Sequence, residues 1–300
     1  IKDPRGMIGV RLEMFGHVFT GPKTIIHNIR KCVEKAGLVV AELVIAPLAL
    51  TETILSDGEK DFGTIVIDVG GGQTTTAVMH DKQLKFTHVN QEGGEFVTKD
   101  ISTVLNTSFN NAEALKINYG DAYPARTSAS EEFPVDVIGK SEPIKIDERY
   151  LSEIIEARME QIFNKSKEVL EEIDALELPG GVVLTGGAAS IPGIVDLAQE
   201  IFGVTVKLYV PNHMGLRNPV FTNVISIVDY SANLNEVYQL AKGAVTGEVM
   251  PTEQSVVYQQ ETSYETTYDG PQESPLAQDE ETSDEGFVNK VKGFFSNIFE

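Results

Sequence analysis

Two glycine-rich segments of the sequence have the residue types that bind phosphate. In the first, residues 68–74 read Asp-Val-Gly-Gly-Gly-Gln-Thr and follow the apolar run 65–67. Glycines allow several backbone N–H groups to approach one anion, and an aspartate at a strand end can hold the accompanying Mg²⁺ through water. A tight hairpin turn would explain the same glycines without a ligand, so this segment alone leaves both explanations open.

The second glycine-rich segment lies at residues 182–189, which read Val-Val-Leu-Thr-Gly-Gly-Ala-Ala. Small residues at the carboxyl end of a strand are typical of ligand sites in α/β folds, where adenine can lie flat against the backbone. Between the two segments are residues 93–95 (Gly-Gly-Glu) and the pair Glu113 and Lys116. That pair lies on one helix face at spacing i, i+3, and an ordinary surface ion pair would explain it equally well. Neither segment is a P-loop, because the Gly-Lys-Ser/Thr signature is absent.

The elements predicted around these segments mix helices and strands. Hydrophobic periodicity predicts strands at 7–15, 38–45 (buried), 64–69, 74–78, 84–89, 182–185 and 204–209, and helices at 22–36, 47–55, 95–105, 111–118, 148–173, 194–202, 220–230 and 233–242. Two strand ends with glycine turns in such an order indicate an α/β fold of two similar halves.

Composition excludes several classes of protein. The 300 residues suggest about two domains, and a net charge of −21 argues against non-specific nucleic-acid binding, which needs Lys and Arg. The single cysteine, Cys32, excludes an intramolecular disulfide framework, and the five histidines form no metal-spaced cluster. No run of 18 apolar residues is present. Because the chain begins at Ile1, we expect a fragment whose upstream part is missing.

The acidity is concentrated in one segment. Residues 248–285 hold eleven acidic residues and no Lys or Arg, together with few aliphatic residues, and this composition predicts a disordered linker. The last fifteen residues, 286–300, form an amphipathic helix when projected at 100° per residue, with seven apolar residues in an arc of about 140°. Lysines at its two edges can reach anionic headgroups. The predicted membrane-binding residues are Phe287, Val288, Lys290, Val291, Lys292, Phe294, Phe295, Ile298 and Phe299. Docking on its own domain or in a partner's groove is the alternative for this helix.

Taken in order, these motifs are similar to those of a known superfamily. Residues 67–74, 93–95, 113–116 and 184–189 resemble the motifs of the actin/Hsp70/sugar-kinase ATPases. Within that superfamily the chain closely resembles the FtsA family of bacterial cell-division proteins. Further support comes from residues 3–12, residues 211–216 and the acidic linker that ends in an amphipathic helix. The resemblance covers essentially the whole chain, and it implies an N-terminally truncated actin-like (ribonuclease H-like) ATPase fold.

The resemblance implies ATP and Mg²⁺ as cofactors and assigns roles to residues. Asp68 would act near Mg²⁺ through water, and Gly94 would approach the phosphates. Glu113 and Lys116 would contact the ribose and adenine. The remaining nucleotide contacts implied are Gly71, Gly72, Gln73 and Thr74 in a phosphate loop and Gly186, Gly187 and Ala188 along the adenosine pocket. The family's first phosphate loop would lie upstream of Ile1, so we expect the chain by itself to bind nucleotide weakly.

The resemblance also implies a division into subdomains. Residues 1–44 would be the later part of the small subdomain specific to the family, and 95–177 would be the small subdomain that receives the C-terminal peptide of the tubulin-like ring protein FtsZ. The other predicted parts are 45–64 with 226–247 (remnants of the first large subdomain), 65–94 with 178–225 (the second large, nucleotide-binding subdomain), the linker 248–285 and the membrane helix 286–300.

The function implied is that of a scaffold rather than an enzyme. The chain would anchor the FtsZ ring to anionic lipids on the cytoplasmic side of the membrane at the division septum, assemble into actin-like protofilaments and contact other division proteins. The resemblance would place Ala46 at the position at which active relatives orient the attacking water, so weak ATPase activity at most is expected. A membrane-associated actin relative of another system, or a sugar or acyl kinase of the same fold, is the alternative. An Hsp70-type chaperone would need a long substrate domain after residue 247.

Overall fold

The computed structural model describes residues 19–234. The predicted strand at 7–15, the linker 248–285 and the membrane helix 286–300 lie outside the described residues, as does nearly all of the helix predicted at 233–242. Within the described part the predicted mixed α/β fold is confirmed. The helices are α1 (Lys23–Lys35), α2 (Ala46–Ile54), α3 (Asp57–Phe62), α4 (Gly94–Val104), α5 (Phe109–Tyr119), α6 (Glu148–Glu171), α7 (Ile194–Phe202) and α8 (Thr222–Ala232). The strands are β1 (Thr64–Val69), β2 (Thr74–His80), β3 (Gln83–Asn90), β4 (Glu132–Val135), β5 (Ile144–Asp147), β6 (Val182–Thr185) and β7 (Val206–Leu208).

A five-stranded mixed sheet in the order β3-β2-β1-β6-β7 carries both glycine-rich segments. Strand β1 pairs antiparallel with β2 and parallel with β6, and Asp68 lies opposite Thr185 in the parallel register. The carboxyl ends of parallel strands meet at one edge of a sheet, where ligands bind in α/β folds. The two glycine-rich segments therefore meet at one edge of the sheet, although more than 100 residues of sequence separate them.

Alternation along β1 builds a core on each face of the sheet. Ile65 and Ile67 point into the larger core, which helices α4 to α7 cover, whereas Val66 points into a smaller core with Leu55 and Met79. Burying such a side chain contributes roughly 1.5–3 kcal/mol. Packing on both faces of the sheet therefore holds β1, and with it Asp68, in place.

Helix α6 is the long helix in the part of the chain that follows β1, β2 and β3. Asp147 caps it by accepting a hydrogen bond from the Tyr150 amide at 2.8 Å. The apolar side chains on its inner face are fully buried, among them Leu151, Ile155, Met159, Ile162 and Leu170. Helix α6 packs against α4, α5 and α7. It therefore connects the glycine-rich edge of the sheet with the small β4–β5 hairpin.

Several features of the described residues differ from the sequence prediction, among them helix α3, which was not predicted. The buried strand predicted at 38–45 is wrong: the segment forms no strand, and Leu38 and Val39 are 64% and 90% exposed. A β-branched run favours a strand only where a partner ladder is available, and no described strand forms a ladder with this segment. The β4–β5 hairpin, with register Phe133 to Ile146, was not predicted as a pair, because its strands have four residues each.

Candidate functional site

The first glycine turn joins β1 to β2 and is closed by a hydrogen bond from the Gly70 amide to the Gln73 carbonyl, at 2.9 Å. Gly71, Gly72 and Gln73 are exposed at its tip, as a phosphate loop requires. Thr74 differs from its neighbours, because it is buried and its hydroxyl donates to the Glu92 carbonyl at 2.8 Å. Its side chain therefore positions the next segment of the site.

That next segment, Gly93-Gly94, packs directly on the first turn. The Gly94 amide donates to the Gly70 carbonyl at 2.9 Å, and the Glu95 amide donates to the Gly71 carbonyl at 2.8 Å. A Cβ atom on Gly93 would overlap with the Gly70 carbonyl and lie 2.6 Å from that of Gly71. Only glycine permits this approach, so the two turns form one backbone surface at the start of α4.

The third glycine turn approaches Asp68 from β6. Gly186 has φ +95° and ψ 163°, a conformation essentially restricted to glycine, and a Cβ there would overlap with the Asp68 carboxylate and lie 2.6 Å from the Val69 carbonyl. On the same strand, the hydroxyl of Thr185 donates to that of Thr222 at 2.8 Å, and both residues are buried. These contacts fix the amino end of α8 beside the carboxylate.

Asp68 and Asn223 form a polar pair at this junction. The Asn223 side-chain amide donates to the Asp68 carboxylate at 3.3 Å, and the Asn223 carbonyl oxygen is buried with no hydrogen-bond partner among the described residues. Burial raises the pKa of Asp68, and the hydrogen bond from Asn223 opposes that rise only in part. A half-buried carboxylate beside an unpaired carbonyl oxygen fits a hydrated divalent cation, because such ions take oxygen ligands. No cluster of three carboxylate, histidine or cysteine ligands occurs in residues 19–234, so direct coordination by several side chains is not available there.

Glu113 and Lys116 contact residues of α4 as well as each other. The Lys116 ammonium donates to Glu113 at 2.7 Å, to the Thr98 hydroxyl at 2.7 Å and to the Gly94 carbonyl at 3.1 Å. An ammonium has three N–H groups, so these three acceptors use all of them. The surface-pair explanation is therefore wrong for Lys116, whose side chain is only 10% exposed.

The carboxylate of Glu113 keeps one side open to solvent, with the side chain 38% exposed. Burial by itself raises the pKa of Glu113, but the hydrogen bonds from Lys116 and Thr98 outweigh burial, so the pKa lies below its usual value. Glu113 is therefore ionised at neutral pH and suited to accept hydrogen bonds from hydroxyl groups.

The predicted residues fall into two groups in space. A compact group surrounds the meeting point of the three turns, where a Cβ on Gly94 would lie 3.0 Å from the Ala188 methyl group and 3.7 Å from the Lys116 nitrogen. Residues 71–73 form the exposed tip of the first turn, which is joined to this group through the Gly71 carbonyl. The predicted membrane residues lie outside the described residues.

Three further residues of the site escaped the sequence prediction, namely Glu92, Thr98 and Asn223. Glu92 directly precedes Gly93, which was a signal available in the sequence. Thr98 lies one helical turn after Gly94, and its hydroxyl donates to the Glu113 carboxylate. Asn223 is 155 residues from Asp68, and no local pattern points to that contact.

Comparison with known proteins first defines the class. MreB5 of Spiroplasma citri, solved bound to ADP, superposes with a TM-score of 0.60 over 76% of this chain and 69% of that one, at 15% identity. The MamK double helical filament gives a TM-score of 0.54 over 72% and 66% of the two chains, at 14% identity. The chain thus has an actin-like fold.

The family follows from sequence matches. A family model for "Cell division protein FtsA" matches residues 65–226, and one for its C-terminal part matches residues 237–300. The cell division protein FtsA of Enterococcus hirae is 79% identical over all of this chain, which spans 68% of that protein. The chain belongs to the FtsA family of cell division proteins.

Proposed function

We propose that this protein is an ATP-binding scaffold that anchors the FtsZ ring to the cytoplasmic membrane. Nucleotide binding is supported chiefly by the three glycine turns that meet around Asp68. The contacts of Gly93 and Gly186 there are too close for any side chain. Solved actin-like neighbours were captured with ADP and with AMPPNP, which supports a nucleotide at this edge of the sheet.

In the proposed complex the phosphates lie against the exposed amides of the first turn, at Gly71, Gly72 and Gln73, with the amino end of α4 at Gly94 nearby. A helix amino terminus and a run of glycine amides both favour anions. Bound Mg²⁺ supplies positive charge that offsets the phosphates, and Asp68 with Asn223 would hold it through water.

The nucleoside lies on the other side of the junction. Gly186, Gly187 and Ala188 present a surface with little side-chain bulk, and the ionised Glu113 would accept hydrogen bonds from the ribose hydroxyls. Lys116 holds Glu113 and the Gly94 carbonyl in place. Lys116 would therefore position these two groups. The resemblance had implied that Lys116 contacts the nucleoside directly.

Titration of Mg-ATP into the protein, extended at its N-terminus to the length of its Enterococcus hirae relative, tests this site. We expect saturable binding that Asp68→Asn weakens about tenfold in the presence of Mg²⁺ and leaves nearly unchanged in EDTA, since the carboxylate acts through the ion. Gly203→Ala, with open space around its Cβ position, is the matched control. Absence of saturable binding would contradict the nucleotide proposal.

Turnover is proposed to be slow. Ala46 is the first residue of α2, and a methyl group cannot orient an attacking water. Steady-state phosphate release by the extended protein should therefore lie well below the ordinary enzyme value of about 10 s⁻¹. A rate near that value would show that another residue orients the water.

Membrane attachment is proposed to come from residues 286–300. Support comes from the sequence pattern, since apolar and polar residues separate cleanly around the projected helix, and from the match of the family's C-terminal model. In residues 19–234 no helix is long and apolar enough to cross a bilayer. The intact protein should co-sediment with liposomes that contain anionic lipid, and deletion of 286–300 should abolish this; persistent co-sedimentation would refute the proposal.

Ring attachment and self-association complete the proposal. Residues 95–177 would receive the FtsZ C-terminal peptide, and copies of the protein would form protofilaments beside other division proteins at the septum. The double helical filament of MamK supports assembly of this fold. Capture of the FtsZ C-terminal peptide by the whole chain tests the first point, and failure to bind would contradict the proposed ring attachment.

A further inference from the structure

Glu92 connects the glycine turns with helix α6. Its carbonyl accepts the Thr74 hydroxyl at 2.8 Å, so its backbone is fixed to the residue that ends the first turn. Gly93 and Gly94 follow immediately and pack on the same turn. Any displacement of Glu92 is therefore passed directly to both turns.

The side chain of Glu92 is held by two cations of α6. The Lys165 ammonium donates to one carboxylate oxygen at 2.5 Å, and a guanidinium nitrogen of Arg158 lies 3.9 Å from the other. The second oxygen is buried and makes no hydrogen bond within residues 19–234. With the side chain only 17% exposed, the charge is held mainly by these two cations, because a buried carboxylate without a partner is costly.

Arg158 extends the contact to α4. Its guanidinium binds the Asp100 carboxylate through two nitrogens, at 2.5 and 3.1 Å, and lies 5.7 Å from the centre of the Phe96 ring. Hydrogen bonding to Asp100 raises the pKa of Arg158 above its usual value. Paired guanidinium–carboxylate geometry is directional, so the orientation of α6 relative to the amino end of α4 is fixed.

We infer that Glu92 is a positioning residue for phosphate binding, and that its contact with Lys165 and Arg158 couples the glycine turns to α6. This inference rests on the proposed nucleotide site. Because α6 runs through the predicted FtsZ-receiving subdomain, the contact gives a bound phosphate a direct route to that subdomain. Glu92 itself does not touch the ligand.

The test compares Glu92→Gln, Lys165→Met and the double variant in the extended protein. Glu171→Gln is the matched control, since Glu171 is exposed and pairs with Lys167 on the same helix at 3.7 Å. Calorimetry measures the affinities for Mg-ATP and for adenosine. A positioning role predicts that Glu92→Gln weakens Mg-ATP binding about tenfold, within the usual range of coupling between sites, and leaves adenosine binding unchanged.

The double variant should bind Mg-ATP no more weakly than whichever single variant binds it more weakly. Each substitution removes the same contact between Glu92 and Lys165, so their effects should not add. Unchanged ATP affinity, or equal losses for ATP and adenosine, would overturn the inference. Hydrogen exchange of the backbone amides of residues 93–95 tests the inference independently of the proposed function. If the unsubstituted protein binds no ATP, the proposed function fails, and positioning is decided by exchange alone: faster exchange in Glu92→Gln supports it, and equal exchange overturns it.

Discussion

Gly186→Ala tests the meeting of the two strands at Asp68. The methyl group would be added in a conformation that costs an L-residue about 1–3 kcal/mol. It would also overlap with the Asp68 carboxylate and lie 2.6 Å from the Val69 carbonyl, and relief of such overpacking costs roughly a further 1–3 kcal/mol. The expected loss in the free energy of unfolding is thus about 2–6 kcal/mol.

The control is Gly203→Ala at the end of α7. Gly203 also has a positive φ, +71°, but nothing lies within 4 Å of its Cβ position, so only the conformational cost of about 1–2 kcal/mol applies. Urea unfolding followed by circular dichroism compares the two variants. With a slope of about 2 kcal/mol per M, Gly186→Ala should unfold at roughly 1–3 M less urea than the wild type. A loss no greater than that of Gly203→Ala would refute the proposed close contact.

Three further predictions concern the charges of the site. Lys116→Met should lower the free energy of unfolding at pH 7 by about 2–3 kcal/mol, because it removes the charged donor of Glu113 and leaves that carboxylate only the Thr98 hydroxyl. Lys31→Met, on the exposed face of α1, is the control for urea unfolding. Because the pKa of Glu113 is depressed in the fold, its contribution to stability is present above its unfolded pKa and is lost as the pH falls through the folded value. The loss of stability caused by Lys116→Met should therefore shrink between pH 5 and pH 3. A loss that stays constant over this range would contradict the ionic contact. Asp68→Asn should stabilise the protein at pH 7 without Mg²⁺, since the raised pKa of Asp68 makes its ionised form unfavourable in the fold, and this gain should vanish below about pH 4; thermal unfolding at both pH values decides it.

Local patterns predicted the elements well where they were strong. The glycine turn between β1 and β2 followed from its residues alone, and the stripe of α6 predicted a helix at 148–173 that the structure begins at the same residue, Glu148. The segment 38–45 shows the limit of prediction from local patterns. Its β-branched residues favour a strand, but a strand also needs a partner strand, which the local sequence does not determine.

The site was predictable in its residue types more than in its contacts. The spacing of Glu113 and Lys116 correctly placed them on one face, but nothing in the sequence indicated that Lys116 also reaches Gly94, 22 residues away. The contact of Asn223 with Asp68 joins residues from opposite parts of the chain. Such contacts depend on how strands pair and helices pack, which single-residue patterns do not encode.

Recruitment of the FtsZ C-terminal peptide to a membrane tests the central proposal most directly. A fluorescent peptide is mixed with anionic liposomes and the extended protein in Mg-ATP, and sedimentation measures the bound fraction. We predict that the peptide sediments with liposomes only when the protein is present, and that deletion of 286–300 leaves peptide and protein together in solution. A peptide that stays in the supernatant while the intact protein sediments would contradict the proposed anchor.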